Sequence, residues 1–341
     1  MVKGNGINRL LVRLFYALLF CVPVVGCSGG SGKCAETEKV QDFPYAEIPL
    51  AIRNNPESAR EYLLENFWDR YISKAGKDTS LLSIEENVLE KAYAEYLRLL
   101  LTENNAEKQA ALQRQLIAKA DSFAVAGKRQ LLMNLLKFSE LYLYNPNSPY
   151  LDEELYIPVL ESVMNSEALD TLSKVPYAYQ LELALLNRVG QKANDFPYTY
   201  LYGVENGGSQ PLVKETTLYA TEGKYLLIYF NNPGCMSCNE IKQILEQDVG
   251  IAGMIKDGEL VILSLYIDGD SERWFSGYRD FPHEWIYAKG EQSLFADNTI
   301  YGIRAIPSLY LLDSNKKVLL KDASVGRTLE YLSLLGKEKQ Q

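Results

Sequence analysis

The most informative segment of this 341-residue chain is Phe230-Asn231-Asn232-Pro233-Gly234-Cys235-Met236-Ser237-Cys238, hereafter the cysteine segment. A hydrophobic run typical of a β-strand, Tyr225–Phe230, leads directly into it, and a run with helical spacing follows. Two thiols three residues apart at the first turn of a helix can reach each other and can face solvent. The segment therefore predicts a dithiol that opens and closes, placed between a strand and a helix.

Length and composition limit the classes of protein to which the chain can belong. Its 341 residues suffice for two domains of ordinary size, and 47% hydrophobic with 23% charged residues is a globular composition. The formal net charge is −9, and no strongly basic segment lies beyond residue 13. We therefore predict no nucleic-acid partner.

Residues 1–26 have the features of an export signal. Lys3, Arg9 and Arg13 precede an apolar run that is too short for a membrane-spanning helix. The run ends in Val24-Val25-Gly26-Cys27, which resembles the lipobox of bacterial lipoproteins. The resemblance implies cleavage after residue 26 and a lipid on Cys27; an ordinary signal peptide and an uncleaved anchor are the alternatives. Each of them places the protein outside the cytoplasm, and the lipid anchor places it in the cell envelope, attached to a membrane.

A tether is predicted after the signal, over residues 27–55. Ser28-Gly29-Gly30-Ser31-Gly32 consists of small residues that form a flexible linker between a membrane and the folded part of the chain. Surface-exported lipoproteins of some Gram-negative groups carry acidic residues just after the lipidated cysteine. Here the first acidic residue after Cys27 is Glu36, so we expect a periplasm-facing orientation. Outside the cysteine segment the mature chain keeps only the thiol of Cys34 and one histidine, too few ligands for zinc. No metal site is predicted.

Residues 56–188 have a helical pattern throughout and form a predicted helical domain. Asn55-Pro56 has the form of an N-cap followed by proline at the first helical position. We interpret the apolar stripes of this region as core, with a peptide-binding groove between helices as the alternative. The domain is predicted to fold separately and to position a client near Cys235. Its last helices are expected near residues 152–165, 166–173 and 176–188.

The pattern changes at residue 189, where strands of period two and turn residues begin. A hairpin turn is predicted at Glu205-Asn206-Gly207-Gly208. Strands alternating with helices and ending in a hairpin predict a mixed central sheet flanked by helices over residues 189–341. The predicted strands are 196–202, 225–231, 260–267, 308–312 and 317–321, and the predicted helices are about 238–247, 271–278, 292–298 and 328–335.

Three segments of the second half resemble membrane-anchored, thioredoxin-like proteins of the TlpA and ResA type. They are Val189-Gly190-Gln191-Lys192-Ala193-Asn194-Asp195-Phe196, the cysteine segment, and Ala305-Ile306-Pro307-Ser308, which looks like a cis-proline loop. The resemblance implies the fold class α + α/β, an all-helical domain followed by a thioredoxin-like domain. It also implies that Pro307, if cis, offers a backbone edge beside Cys235 to a substrate strand. Ile306, Pro233 and Gly234 are the implied substrate contacts.

The whole mature chain further resembles lipoproteins that carry an uncharacterised helical domain before the thioredoxin-like one. Phe67-Trp68-Asp69, Tyr144-Asn145-Pro146-Asn147-Ser148-Pro149 and Glu154-Leu155-Tyr156-Ile157-Pro158-Val159-Leu160 look like the marks of that family. The resemblance implies no function for the helical domain.

Three positions depart from the thioredoxin pattern. Gly234 stands where thioredoxins usually have tryptophan, and Tyr229 replaces their buried carboxylate. Ile241 stands where ResA-type proteins have glutamate, and Glu240 is one position off. Proton transfer at Cys238 therefore lacks its usual side chain, and we expect water to serve.

The predicted chemistry is thiol-disulfide exchange with no cofactor beyond the redox-active disulfide Cys235–Cys238. Unpaired backbone N–H groups and the helix dipole favour the thiolate of Cys235, which attacks a client disulfide; Cys238 then resolves the mixed disulfide. The expected partners are protein disulfide clients, a membrane electron donor and the membrane itself through the lipid anchor. Reduction is favoured over oxidation or isomerisation.

Two alternative functions stay open. The first is a binding lipoprotein, in which the helical domain grips a partner and the thioredoxin-like domain is a non-catalytic scaffold, its cysteines at most a static disulfide. The second is a peroxidase, which the absence of threonine at Asn232 disfavours. His283 is interpreted as a surface histidine, and Trp274 and Trp285 as packing residues.

Overall fold

The computed structural model describes residues 42–77, 84–203 and 211–337. Several predictions made from sequence lie outside these residues: the signal peptide, the lipidation site Cys27, most of the tether with Cys34, and the hairpin turn at 205–208. Within the described ranges, no helix is both long enough and apolar enough to cross a membrane.

The first half of the described chain, here the helical region (residues 42–187), is built from helices around one hydrophobic core. Asn55 caps the first helix as predicted, because its side chain accepts hydrogen bonds from the backbone N–H groups of Glu57 and Ser58. Tyr71, Tyr93, Tyr96, Phe138 and Tyr156 are among the largest fully buried side chains, so the apolar stripes are core. The helices are α1 Pro56–Asn66, α2 Asp69–Lys77, α3 Glu86–Leu100, α4 Ala106–Val125, α5 Gln130–Ser139, α6 Glu153–Met164 and α7 Thr171–Leu185.

The prediction of two helices at 166–173 and 176–188 is wrong, since the structure has the single helix α7. The backbone N–H groups of Ala168 and Leu169 instead bind the Ser166 hydroxyl, 3.2 Å away in each case, in a non-helical turn. Asp170 then caps α7 by accepting from the backbone N–H of Ser173 at 2.7 Å. Pro176, the sixth residue of α7, removes one hydrogen-bond donor from the interior of the helix.

A five-residue π-helical turn, Glu140–Tyr144, extends α5. The backbone N–H of Asn145 donates to the carbonyl oxygen of Glu140 at 3.0 Å, which closes the wider turn. Such turns are rare and often lie at functional sites. This one ends the helix just before Asn145-Pro146.

Residues 189–337, here the sheet region, contain a seven-stranded mixed sheet in the order β2-β1-β5-β4-β3-β6-β7. β3 and β4 pair in parallel, as do β4 and β5, whereas β6 runs antiparallel to β3. The predicted mixed sheet is therefore confirmed. Two of its strands are not among those predicted: β5, and β2, which the predicted hairpin turn only implies. The strands are β1 Pro197–Tyr202, β2 Leu212–Thr217, β3 Tyr225–Asn231, β4 Leu260–Tyr266, β5 Ile286–Gly290, β6 Ser308–Asp313 and β7 Val318–Leu320.

Alternate residues of β3 enter two different cores, one on each face of the sheet. Leu226, Ile228 and Phe230 pack in one core, and Leu227 and Tyr229 pack in the other with Cys238. The central strand is thus buried on both faces by the flanking helices. These are α8 Met236–Gln247, α9 Val249–Lys256, α10 Ser271–Gly277, α11 Gln292–Ala296 and α12 Val325–Lys337, with a 3₁₀ turn at Tyr278–Asp280.

Candidate active site

The two cysteines lie where β3 meets α8. Cys235 is the N-cap of α8, and its sulfur accepts a hydrogen bond from the backbone N–H of Cys238 at 3.2 Å. α8 begins at Met236, two residues before the predicted start, because the sulfur of Cys235 performs this capping. Cys235 is half-buried and Cys238 is 3% exposed, and both are free thiols. The two thiols of one helical turn therefore have different access to solvent.

The surroundings shift the pKa values of the two thiols in opposite directions. Burial by itself raises the pKa of Cys235, but hydrogen bonds from the side chains and backbone N–H groups of Cys238 and Ser237 outweigh it and lower the pKa. Burial raises the pKa of Cys238 to about 12, and its hydrogen bond to Cys235 acts in the same direction. The pair thus contains one thiol that ionises easily and one that keeps its proton.

Tyr229 lies under the second thiol, at the position of the carboxylate that thioredoxins bury. Its side chain is fully buried, and its hydroxyl donates to the carbonyl oxygen of Cys238 at 2.5 Å. Burial raises the pKa of Tyr229 far above the ordinary value, and the thiols of Cys238 and Cys235 raise it further. The phenol therefore stays protonated and acts as a hydrogen-bond donor, not as a base.

The cis-proline loop lies at the same edge of the sheet as the cysteines. The Ile306–Pro307 peptide bond is cis, and Ser308, the next residue, pairs with Phe230 at the end of β3. Ile306 and Cys235 both pack against the core that contains Cys238. Pro307 is half-buried, so part of the loop faces solvent. The register of β3 and β6 thus brings Ile306 and Pro307 close to Cys235, although they are distant in the sequence.

Helix α10 packs against the loop that precedes Cys235, a contact that the sequence did not indicate. A Cβ atom added to Gly234, whose φ is +82°, would lie 2.8 Å from Nη2 of Arg273. A Cβ atom on Gly277 would lie 3.4 Å from the ring of Pro233 and 2.6 Å from the hydroxyl of Tyr287. An exposed guanidinium therefore lies where thioredoxins usually have tryptophan. No local sequence signal marks Arg273.

The remaining sequence candidates lie as predicted or away from the thiols. His283 and Glu240 are exposed, and Trp274 and Trp285 are buried packing residues. Trp285 contacts the ring of Tyr229 edge-on, with 6.4 Å between ring centroids. Among the described residues, no group of His, Cys, Asp and Glu side chains could hold a metal ion.

Comparison with known structures shows the family. The chain is 32% identical to a thioredoxin-like protein from Bacteroides caccae, with a TM-score of 0.74 over 86% of this chain and 99% of that one. The chain therefore belongs to the family of this thioredoxin-like protein. Residues 28–187 match a family described as a domain of unknown function, DUF5106. The predicted fold class, helices followed by a thioredoxin-like domain, is thereby confirmed.

Shorter solved structures match less than half of the chain. The C-terminal domain of an uncharacterised protein from Bacteroides fragilis is 37% identical, with a TM-score of 0.38 over 43% of this chain and 98% of that one. The thioredoxin domain of a thiol-disulfide oxidoreductase from Bacteroides vulgatus is 21% identical, with a TM-score of 0.34 over 42% of this chain and 96% of that one. No protein of curated function matches the chain.

Proposed function

We propose that this protein is a thiol-disulfide oxidoreductase of the cell envelope that reduces disulfides of client proteins through Cys235 and Cys238. The observation that carries the proposal is the asymmetry of the pair. Cys235 caps α8, is half-exposed and has a lowered pKa, whereas Cys238 is buried and has a raised pKa. A static structural disulfide requires no such difference between its two sulfurs.

The reaction proceeds in two exchanges. The Cys235 thiolate attacks one sulfur of the client disulfide, the client S–S bond breaks, and the other client sulfur leaves as a thiolate that takes up a proton. Cys238 then loses its proton and attacks the sulfur of Cys235, which releases the second client thiol. The Cys235–Cys238 disulfide forms, and two electrons have passed to the client.

The same proposal covers the anchor and the source of electrons. Cys27 is the proposed lipidation site, so the tether holds the folded part at a membrane, facing the periplasm. A membrane electron donor returns two electrons to the Cys235–Cys238 disulfide after each cycle. Pro307 and Ile306 supply the backbone edge for the client strand, and Pro233 and Gly234 border it.

Trapping of clients tests the assignment of roles. In a Cys34→Ser background, the Cys238→Ser variant is expected to accumulate mixed disulfides with client proteins in the cell. The Cys235→Ser variant, the matched control, is expected to accumulate none, because the remaining thiol is buried and protonated. Equal trapping by both variants, or by neither, contradicts the proposal and favours the binding lipoprotein with a non-catalytic scaffold.

A further inference from the structure

Four charged side chains, each at most 13% exposed, connect the helical region to the sheet region, and we name them the buried charge cluster. Glu153 of α6 forms ion pairs with Arg304 at 2.9 Å and with Lys321 at 2.6 Å. Arg304 also pairs with Asp322 at 2.9 Å. The side chains of Glu153, Arg304 and Lys321 are 8%, 10% and 4% exposed. With two cations and two anions, the cluster is neutral as a whole.

The cluster holds the cis-proline loop from both of its ends. Arg304 directly precedes Ala305, the first residue of the loop. Asp322 accepts a hydrogen bond from the hydroxyl of Ser308, the last residue of the loop, at 2.7 Å. Asp322 therefore links the side chains of Arg304 and Ser308, the two residues that flank Ala305, Ile306 and Pro307.

The helical region supplies the other partners of the same cations. The guanidinium of Arg304 donates to the carbonyl oxygen of Tyr144 and lies 4.0 Å from the centroid of its ring. Lys321 donates to the carbonyl oxygens of Leu183, Ala184 and Leu186 at 3.2, 2.8 and 2.6 Å, at the end of α7. Carbonyl groups at a helix end lack helical partners, so a cation there is well placed.

We propose that Glu153 is a positioning residue: from the helical region, it fixes Arg304 and so holds the Ile306–Pro307 edge in place for a client strand. This inference rests on the proposed function. It gives the helical region a part in catalysis that needs no contact with the client.

The physical argument starts from the charge balance of the cluster. Neutralising Glu153 would leave two buried cations, Arg304 and Lys321, with Asp322 as the remaining anion. A buried charge without a counter-ion is costly, so the side chains would rearrange toward other partners. Arg304 adjoins the loop, and its movement would displace the edge on which the client pairs. A client strand would pair less well with the displaced edge and bind more weakly, so KM for that client would rise.

Two variants of the full-length protein on one helix test the proposal. Glu153→Gln removes a negative charge inside the cluster. The control, Glu161→Gln on the same helix, removes a negative charge from an exposed ion pair with Arg114 of α4. The substrates are an extended peptide disulfide, which can pair with the loop, and 5,5′-dithiobis(2-nitrobenzoic acid), which has no peptide backbone. For Glu153→Gln we expect KM for the peptide to rise by about 10-fold or more. The rate with the small disulfide and the pH profile of Cys235 alkylation should stay near the wild-type values.

A double variant separates positioning from stability. Glu153→Gln with Lys321→Gln leaves the pair of Arg304 and Asp322 neutral and keeps an N–H donor at position 321 for the carbonyl groups at the end of α7, so part of the Tm lost in Glu153→Gln should recover. Its KM for the peptide should stay high, since Arg304 still lacks Glu153. Recovery of KM together with Tm overturns the proposal, because the role of Glu153 is then structural only. If neither glutamine variant folds, Glu153→Asp, which keeps the charge and shortens the side chain, is judged by the same KM criterion.

The remaining outcomes are distinct. Equal KM values for Glu153→Gln and Glu161→Gln overturn the inference and leave the proposed function standing. A wild-type protein that reduces neither disulfide overturns the proposed function and, with it, this inference.

Discussion

At the scale of the residue, the site is defined by what surrounds two identical side chains. Burial opposes ionisation of Cys235, but hydrogen bonds from Cys238 and Ser237 outweigh it and lower the pKa, whereas burial raises the pKa of Cys238. The Cys-x-x-Cys spacing and the sequence Ile306-Pro307 could be identified from the sequence, because each is a local motif. The partners of Arg273 and Arg304 could not, because they lie far away in the sequence.

The pKa difference predicts selective alkylation of the reduced protein. Only a thiolate reacts with iodoacetamide, and the thiolate fraction rises as the pH passes the pKa. Cys235 should therefore react in a pH range below the ordinary thiol pKa of 9.0, while Cys238 stays protonated until about pH 12. Peptide mapping of the Cys34→Ser protein after labelling from pH 5 to 9 measures this. Equal rates at the two sites would refute the assignment.

The hydroxyl of Tyr229 is expected to stabilise the fold under Cys238. Tyr229→Phe removes a buried hydrogen bond to the carbonyl of Cys238, so the free energy of unfolding should fall by about 1–2 kcal/mol. Tyr310→Phe is the matched control, because the buried hydroxyl of Tyr310 has no hydrogen-bond partner within the described ranges. Urea denaturation of both variants should show a loss for the first only. A loss of the same size in the control would show that burial, not the bond, matters.

At the scale of the element, the strands and helices with strong local signals were predicted and the weak ones were missed. β5 contains Ala288, Lys289 and Gly290, which have low strand propensity, and it is a strand because β4 and β1 pair with it on both sides. Helix α9 contains Gly250 and Gly253, which have low helix propensity, and Asp248 caps it through the N–H of Ile251 at 2.9 Å. In both cases tertiary contacts or a cap outweigh propensity.

The contact of α10 with the cysteine segment predicts a difference between two helical glycines. Gly277→Ala would place a methyl group 2.6 Å from the hydroxyl of Tyr287 and against Pro233, so we expect a loss of about 1–3 kcal/mol of stability. Gly253→Ala, in α9, meets no atom within 4 Å and should stabilise the protein by about 0.5–1 kcal/mol. Thermal unfolding measures both. Equal effects of the two substitutions would mean that the packing of α10 on Pro233 is loose.

At the scale of the whole molecule, two of the three segments that resemble the lipoprotein family adjoin the buried charge cluster. Tyr144 begins one of these segments, and Glu153 directly precedes another. Their side chains and backbone hold Arg304 and Lys321. Separate folding of the two regions stays a prediction. Buried ion pairs from Glu153 to Arg304 and Lys321 connect the two regions.

A fragment of residues 189–341 tests what the helical region contributes. We expect the fragment to reduce a small artificial disulfide, because Cys235, Cys238 and the cap of α8 all lie within it. We expect it to lose activity on natural protein clients, because it lacks the helical region that selects clients or positions the cis-proline loop. Activity on both substrates is compared with that of the full-length protein. Equal activity on natural clients would make the helical region a spacer.

The most direct test of the central claim is a redox titration of the Cys235–Cys238 pair in the Cys34→Ser protein. The lowered pKa of Cys235 stabilises the dithiol form, so the pair should titrate as a reversible two-electron couple with a midpoint above about −300 mV, in the range of exchange-active proteins. Cys235→Ser should abolish the transition. A midpoint well below about −300 mV, typical of structural disulfides, or no reversible transition at all, would contradict the account.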